Sequence, residues 1–270
     1  MRFARFVLEE TIAYGVVNGP LNSALVSASS KGAESHAEAQ TITVIDGHPF
    51  GPHEHTSVTV PMVDVRLLPP VLPTKIVGIG KNYADHAKEM DSEPPATPVM
   101  FLKPSTSVVG HRDSITLPSM SARVEFEGEL AIVIGRLAKD LTPGRVDDAI
   151  LGYTCANDVT ARDLQQADGQ WVRAKGFDSF CPLGPWISTD VDPNNLSLQT
   201  TVNGEIRQSG STGQMVHAVR DLVAFVSSVM TLVPGDVILT GTPAGVGPIQ
   251  RGDEVTVEIE GIGRLANPVA

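Results

Sequence analysis

The stretch Glu125-Phe126-Glu127-Gly128-Glu129 runs directly into Leu130-Ala131-Ile132-Val133-Ile134, and it concentrates more potential chemistry than any other part of the chain. In an extended strand alternate side chains share a face, so Glu125, Glu127 and Glu129 project together while Phe126 and Leu130 point away. Same-face positions lie roughly 7 Å apart, within reach of glutamate arms that converge on one ion. Carboxylates so close shift one another's pKa unless a cation sits between them, and hard divalent cations such as Mg²⁺ select oxygen ligands. The competing reading is a solvated edge strand with polar residues outward. The Leu-Ala-Ile-Val-Ile continuation, which belongs to a buried strand, speaks against it.

Three further places carry chemistry-bearing types. Asp158, in Asn157-Asp158-Val159-Thr160-Ala161-Arg162-Asp163, stands where a strand-like run gives way to a helical pattern; it is either a third acidic ligand or a helix N-cap. His86 and Glu89 are three residues apart on a predicted helix and therefore share a face. A carboxylate beside an imidazole orients it and raises its basicity, as proton transfer requires, although an exposed surface pair has the same spacing. His53-Glu54-His55 is a metal-binding combination or a solvated stretch of a Gly/Pro-rich loop. Gly78-Ile79-Gly80 lacks the third glycine of a dinucleotide fingerprint, and Gly241-Thr242-Pro243-Ala244-Gly245 lacks the lysine of a phosphate loop, so no nucleotide site is expected.

The elements that must position these residues are mostly strands. Apolar runs of strand length cover residues 76–79, 99–102, 130–134, 151–156, 237–239 and 255–259. Asn203-Gly204 between two such runs is a hairpin signal, because both residues tolerate the positive φ of a type I′ turn. Helical patterning is limited to residues 83–90, 159–166 and 214–230; in the last, Met215, Val219, Leu222 and Val226 recur at helical spacing. So few helices cannot cover both faces of a parallel sheet, which points to a β-rich α+β fold. Residues 1–70 carry strand-like runs at 3–8, 12–17 and 41–45 around a Ser/Ala-rich stretch from Asn22 to Gln40, and read as a small N-terminal β-rich lobe. Leu68-Pro69-Pro70-Val71-Leu72-Pro73 reads as the linker to a main domain over 71–270.

A net charge of -11 and a pI of about 5.0 set the protein's field against phosphate backbones and anionic lipid, so neither nucleic acid nor membrane is an expected partner. The same field disfavours an anionic substrate unless a cation or a local basic cluster offsets it. Cys155 and Cys181 form no CxxC pattern, which fits two free thiols in a reducing compartment. Acidic Glu9-Glu10 interrupt the N-terminus before an apolar core of a signal peptide develops, and no apolar run reaches membrane-spanning length. A cytoplasmic location is expected.

Five ordered segments together resemble the fumarylacetoacetate hydrolase superfamily over about residues 70 to 270. They are Gly80-Lys81-Asn82-Tyr83-Ala84-Asp85-His86, the Glu-Gly-Glu-Leu strand at 127–130, Asn157 to Asp163, Ala174-Lys175-Gly176-Phe177-Asp178, and Gly241 to Gly247. The resemblance implies a mixed β-roll catalytic domain, a homodimer, and Mg²⁺ (or Mn²⁺) held by Glu127, Glu129 and Asp158. It also implies that His86 and Glu89 form an acid/base dyad, that Lys175 supports a developing anion, and that Arg162, Gln165 and Thr242 contact substrate. The larger members carry a fourth acidic ligand seven residues before the histidine; here that position is Ile79, which places the chain with the small bacterial branch.

That branch implies a small 2-oxo acid as substrate, chelated by the metal, which stabilises the enolate at the keto oxygen. The first expectation is an isomerase/decarboxylase of a 2-oxo (2-hydroxy-dienoic) dicarboxylate of aromatic catabolism, of the 2-hydroxyhepta-2,4-diene-1,7-dioate isomerase type. An acylpyruvate or fumarylpyruvate hydrolase and an oxaloacetate decarboxylase are the alternatives within the branch. A non-catalytic metal-binding scaffold is the alternative of another class.

Overall fold

A computed structural model of the chain describes residues 1–21 and 40–270. All but the last residue of the Ser/Ala-rich stretch therefore lies outside the described residues. The largest sheet has twelve strands. Ten of them lie in the spatial order His53–Pro61, Thr41–Gly47, Thr11–Asn18, Arg2–Leu8, Cys181–Ser188, Ile150–Asn157, Gly128–Ile134, Val237–Leu239, Ile76–Gly80, Val99–Lys103. Pairing along this path is antiparallel except between Val237–Leu239 and Ile76–Gly80. A four-stranded antiparallel sheet and a small three-stranded sheet, Thr160–Ala161 with Val124–Phe126 and Gly247–Pro248, complete the mixed β-rich architecture.

The strand Gly128–Ile134 is buried along its whole length because both of its faces are covered. Leu130, Ile132 and Ile134 enter a core shared with Leu198 and Val257 of the four-stranded sheet and with Leu222 and Val226 of the helix Val219–Val229. On the opposite face Ala131 and Val133 pack with Leu183, Ile187 and Leu239, and with Phe3 and Val16 from the N-terminal strands. A strand covered on both faces accommodates a continuous apolar run. Leu130 to Ile134 is that run.

The hairpin forms as expected: Asn203 and Gly204 take φ values of 54° and 81° between Ser197–Val202 and Glu205–Ser211. Other expectations shift. The proline-rich segment expected as a bare linker begins in a strand, Arg66–Leu68, paired with Arg2–Leu8; Pro69, Pro70 and Val71 beyond it are buried. The first strand also pairs with Cys181–Ser188, so the N-terminal strands extend the main sheet. The helix expected over 159–166 starts at Arg162, because Thr160 and Ala161 are drawn into pairing with Glu125 and Val124. The long helix expected over 214–230 is shorter, Val219–Val229, with a separate turn at Thr212–Gln214 capped reciprocally by Ser211 and Gln214. In each case non-local pairing or capping overrides the local periodicity.

Candidate active site

Glu127 lies where one strand is split between two sheets. Val124–Phe126 belongs to the small sheet and Gly128–Ile134 to the large one, so the chain changes partners at Glu127. Gly128 faces Asn157 across the ladder, and the backbone N–H of Asp158 donates to the carbonyl of Glu127 at 2.8 Å. The Asn157 side chain accepts from the N–H of Glu127 at 2.9 Å. Glu127 and Asp158 therefore leave an antiparallel pair side by side, and Glu129 stands two residues into the strand. Gly128 is required between the glutamates: a Cβ there would come within 2.0 Å of Thr200 Oγ1.

The three acids are each no more than 4% exposed, and one oxygen of each lies within 4.8 Å of the others. Asp158 is not a helix cap; Ala161 holds that position and no side chain caps the helix. Cations surround part of the cluster. Lys175 Nζ donates to Glu127 Oε2 at 2.7 Å and to Asp158 Oδ2 at 2.6 Å, and lies 5.0 Å from the centroid of the Phe101 ring. Arg162 donates from Nη2 to Glu127 Oε1 at 2.5 Å, from Nη1 to Gln165 at 2.6 Å and from Nε to Glu125 at 2.7 Å. Lys103, buried, donates to Asp158 Oδ1 at 2.5 Å and to the carbonyl of Val159.

The charges divide the acids. Burial alone would raise Glu127, but the ammonium of Lys175 and the guanidinium of Arg162 hold it well below the usual carboxylate range. Glu129 goes the other way: burial, then the like charges of Asp158 and Glu127, push it well above that range, and the nearby charge of Lys175 and the Gly241 N–H at 2.7 Å offset this only in part. This donor set, hard oxygen only with an acid that makes no direct ion pair among the described residues, fits a divalent cation of the Mg²⁺ class. Glu125, the third glutamate of the expected common face, is not part of it. Arg123 and Arg162 take its two oxygens, so of the three glutamates expected on one face only Glu127 and Glu129 join the cluster.

His86 is buried on the helix Ala84–Glu89, and its Nδ1 pairs with Glu89 Oε2 at 3.0 Å. The Gly245 N–H in turn donates to the Glu89 carboxylate, so the loop 241–247 fixes the dyad from behind. Thr242 Oγ1 donates to the carbonyl of Gly128 at 2.8 Å and accepts from Gln208 at 2.7 Å. Its hydroxyl thus ties that loop to the acid-bearing strand.

A cavity of about 180 Å³ opens over these groups. Its lining includes His86, Glu127, Glu129, Asp158, Arg162, Gln165, Lys175 and Thr242; of the site residues expected from sequence, Glu89 lies just behind the wall. Lys81 and Gln166 add polar groups, and Ile79, Met90, Phe101 and Trp171 form an apolar side. A cavity of about 310 Å³ elsewhere is lined by the exposed Asp147–Arg220 pair and holds no convergent acids, so its size does not make it the chemical site. His53 packs edge-on to Phe3, while Glu54 and His55 are exposed. Sequence reasoning missed Lys103, whose one signal was a lysine closing an apolar strand before Pro104, and Gln208, which also receives the Gly128 N–H.

Residues 75–270 match the family described as fumarylacetoacetate (FAA) hydrolase C-terminal, and residues 1–70 match the one described as Rv2993c-like, N-terminal. A crystal structure of a 2-hydroxyhepta-2,4-diene-1,7-dioate isomerase from Mycobacterium marinum superposes with a TM-score of 0.89 at 50% identity, covering 100% of this chain and 98% of that one. Protein Rv2993c of Mycobacterium tuberculosis is 51% identical, with 100% of this chain and 98% of the relative covered. The mitochondrial oxaloacetate tautomerase Fahd2a of Rattus norvegicus is 46% identical over 78% of this chain and 71% of its own length. With its five motifs gathered around one cavity, the chain belongs to the fumarylacetoacetate hydrolase family, a family of enzymes.

Proposed function

We propose that the protein is a divalent-metal-dependent enzyme that moves a proton on a small 2-oxo dicarboxylate, as an isomerase/decarboxylase of aromatic catabolism of the 2-hydroxyhepta-2,4-diene-1,7-dioate isomerase type. The observation that carries this reading is the convergence of three buried acids, one without a cationic partner, on a cavity that also contains a His–Glu dyad. Glu127, Glu129 and Asp158 would hold Mg²⁺ or Mn²⁺, which when bound supplies a Lewis acid for charge developing on a keto oxygen. The remaining steps belong to side chains.

Glu89 accepts from Nδ1 of His86, which leaves Nε2 free to take a proton from the carbon beside the keto group and return it at another. Lys175 and Arg162 keep Glu127 ionised and aimed, and Lys175 also orients Asp158. Phe101 and Trp171 pack edge to face and give the cavity its apolar side. The tautomerase name of the mitochondrial relatives supports keto–enol exchange of oxaloacetate as a second reading, because it needs only the same proton movement. Acylpyruvate hydrolysis needs an added water. The family likeness further supports a homodimer, which sedimentation at micromolar concentration tests.

Product analysis by NMR after incubation with a panel of 2-oxo acids and Mg²⁺ tests the function. Turnover should vanish with EDTA, and Glu127→Gln should lower kcat about 10³-fold and weaken Mg²⁺ binding in calorimetry. Turnover unchanged by EDTA would refute the reading. A protein that binds Mg²⁺ but converts no acid in the panel would instead favour a binding role.

A further inference from the structure

We propose that Lys81 reads the second carboxylate of the substrate and so sets a preference for dicarboxylic over monocarboxylic 2-oxo acids; this rests on the 2-oxo acid reading above. The cavity holds three permanent cations, Lys81, Arg162 and Lys175. Arg162 is divided among Glu125, Glu127 and Gln165, and Lys175 bridges Glu127 and Asp158. Lys81 is half-buried and, among the described residues, has no ion pair or hydrogen bond from its ammonium. A distal anion that enters between Ile79, Met90, Phe101 and Trp171 loses water and must find a cation; Lys81 is the one not already committed.

The backbone supports the same assignment. Lys81 sits at φ 60°, a left-handed conformation that costs a side-chain-bearing residue about 1 kcal/mol and glycine almost nothing. Its neighbours hold it there. The Trp171 ring lies over Gly80 so closely that a Cβ would come within 2.6 Å of it, and the Asn82 side chain is locked to His217 and to the carbonyl of Thr240. A lysine held in an unfavourable turn, between two anchored residues and at the rim of a cavity, presents its charge in a prepared place.

The test compares wild type, Lys81→Met and Lys81→Arg, with oxaloacetate as the dicarboxylic acid and an acylpyruvate as the monocarboxylic one. Methionine keeps the length of the stem and removes the charge. Lys81→Met should raise KM for the dicarboxylic acid about 10- to 100-fold, the range for a lost charged hydrogen bond, and change KM for the monocarboxylic acid about 2-fold or less. Lys81→Arg should recover most of the preference, and added salt should narrow it in the wild type and in Lys81→Arg but not in Lys81→Met. Equal losses on both acids, or none on either, overturn the proposal. If the wild type converts neither acid, the oxaloacetate and acylpyruvate readings fail, and calorimetric binding of oxaloacetate against pyruvate to wild type and Lys81→Met still decides the role of Lys81.

Discussion

Two fully buried acids, Asp236 and Glu129, show how the same residue chemistry serves structure in one place and a site in another. Asp236 accepts from Thr74 Oγ1 at 2.6 Å, from the N–H groups of Lys75 and Val233, and from the Lys75 ammonium. Its charge is matched and its oxygens are covered. Glu129 receives one backbone N–H and faces two other carboxylates. A buried acid with complete partners pins the fold, whereas one left short of positive charge is waiting for a ligand that brings it.

Three measurements sharpen or break that comparison. Removing the partnered acid should cost most: Asp236→Ala leaves the Lys75 ammonium and two N–H groups without their acceptor, and chemical denaturation should show a loss of about 3–5 kcal/mol. Activity per folded molecule should hold. A loss below about 1 kcal/mol would mean that Asp236 is not a structural anchor.

His111 tests a third way of burying an ionisable group, which is to keep it neutral. Burial, with Arg112 and Arg264 nearby and only Asp113 opposing, lowers its pKa to about 4. The unfolded imidazole titrates near 6.5, so below that pH the unfolded state binds the extra proton and stability falls until about pH 4. Complete loss is about 3 kcal/mol. Stability curves of wild type and His111→Asn, both in EDTA, should converge as pH drops from about 6.5 to 4. Parallel curves would show that the imidazole takes up its proton over the same pH range folded and unfolded, so that burial does not keep it neutral.

The smallest effect should come from the acid without a partner. In metal-free protein Glu129→Gln removes like-charge repulsion and should change stability by about 1 kcal/mol or less, in the stabilising direction, as read by thermal unfolding in EDTA. With Mg²⁺ present, wild type should gain stability from the ion and the variant should not. Destabilisation of the metal-free variant by more than about 2 kcal/mol would place Glu129 with Asp236 and end the contrast.

Much of the site was legible in residue types and short spacings. The i, i+3 pair His86–Glu89, the Glu-Gly-Glu start of an apolar run and the Asn-Gly hairpin are local patterns, and each formed where local geometry put it. Glu125 was not legible, because its removal from the acid cluster depends on Arg162, 37 residues away. Nor was Lys103, whose partner Asp158 lies 55 residues on. The strand at Arg66–Leu68 was hidden for the same reason: a short segment between prolines becomes a strand only when Arg2–Leu8 offers it an edge. Among the described residues no helix is long and apolar enough to cross a membrane.

By itself, then, the order of residues determined which side chains share a face, where strands and turns begin, and that acids, an imidazole and a lysine would be available along the chain. Only the tertiary structure decided which of those charges cancel and which remain. Alternation in a strand is a property of a few consecutive bonds, but the charge balance of a buried carboxylate is set by whatever the fold brings within a few ångströms of it, from any distance in sequence.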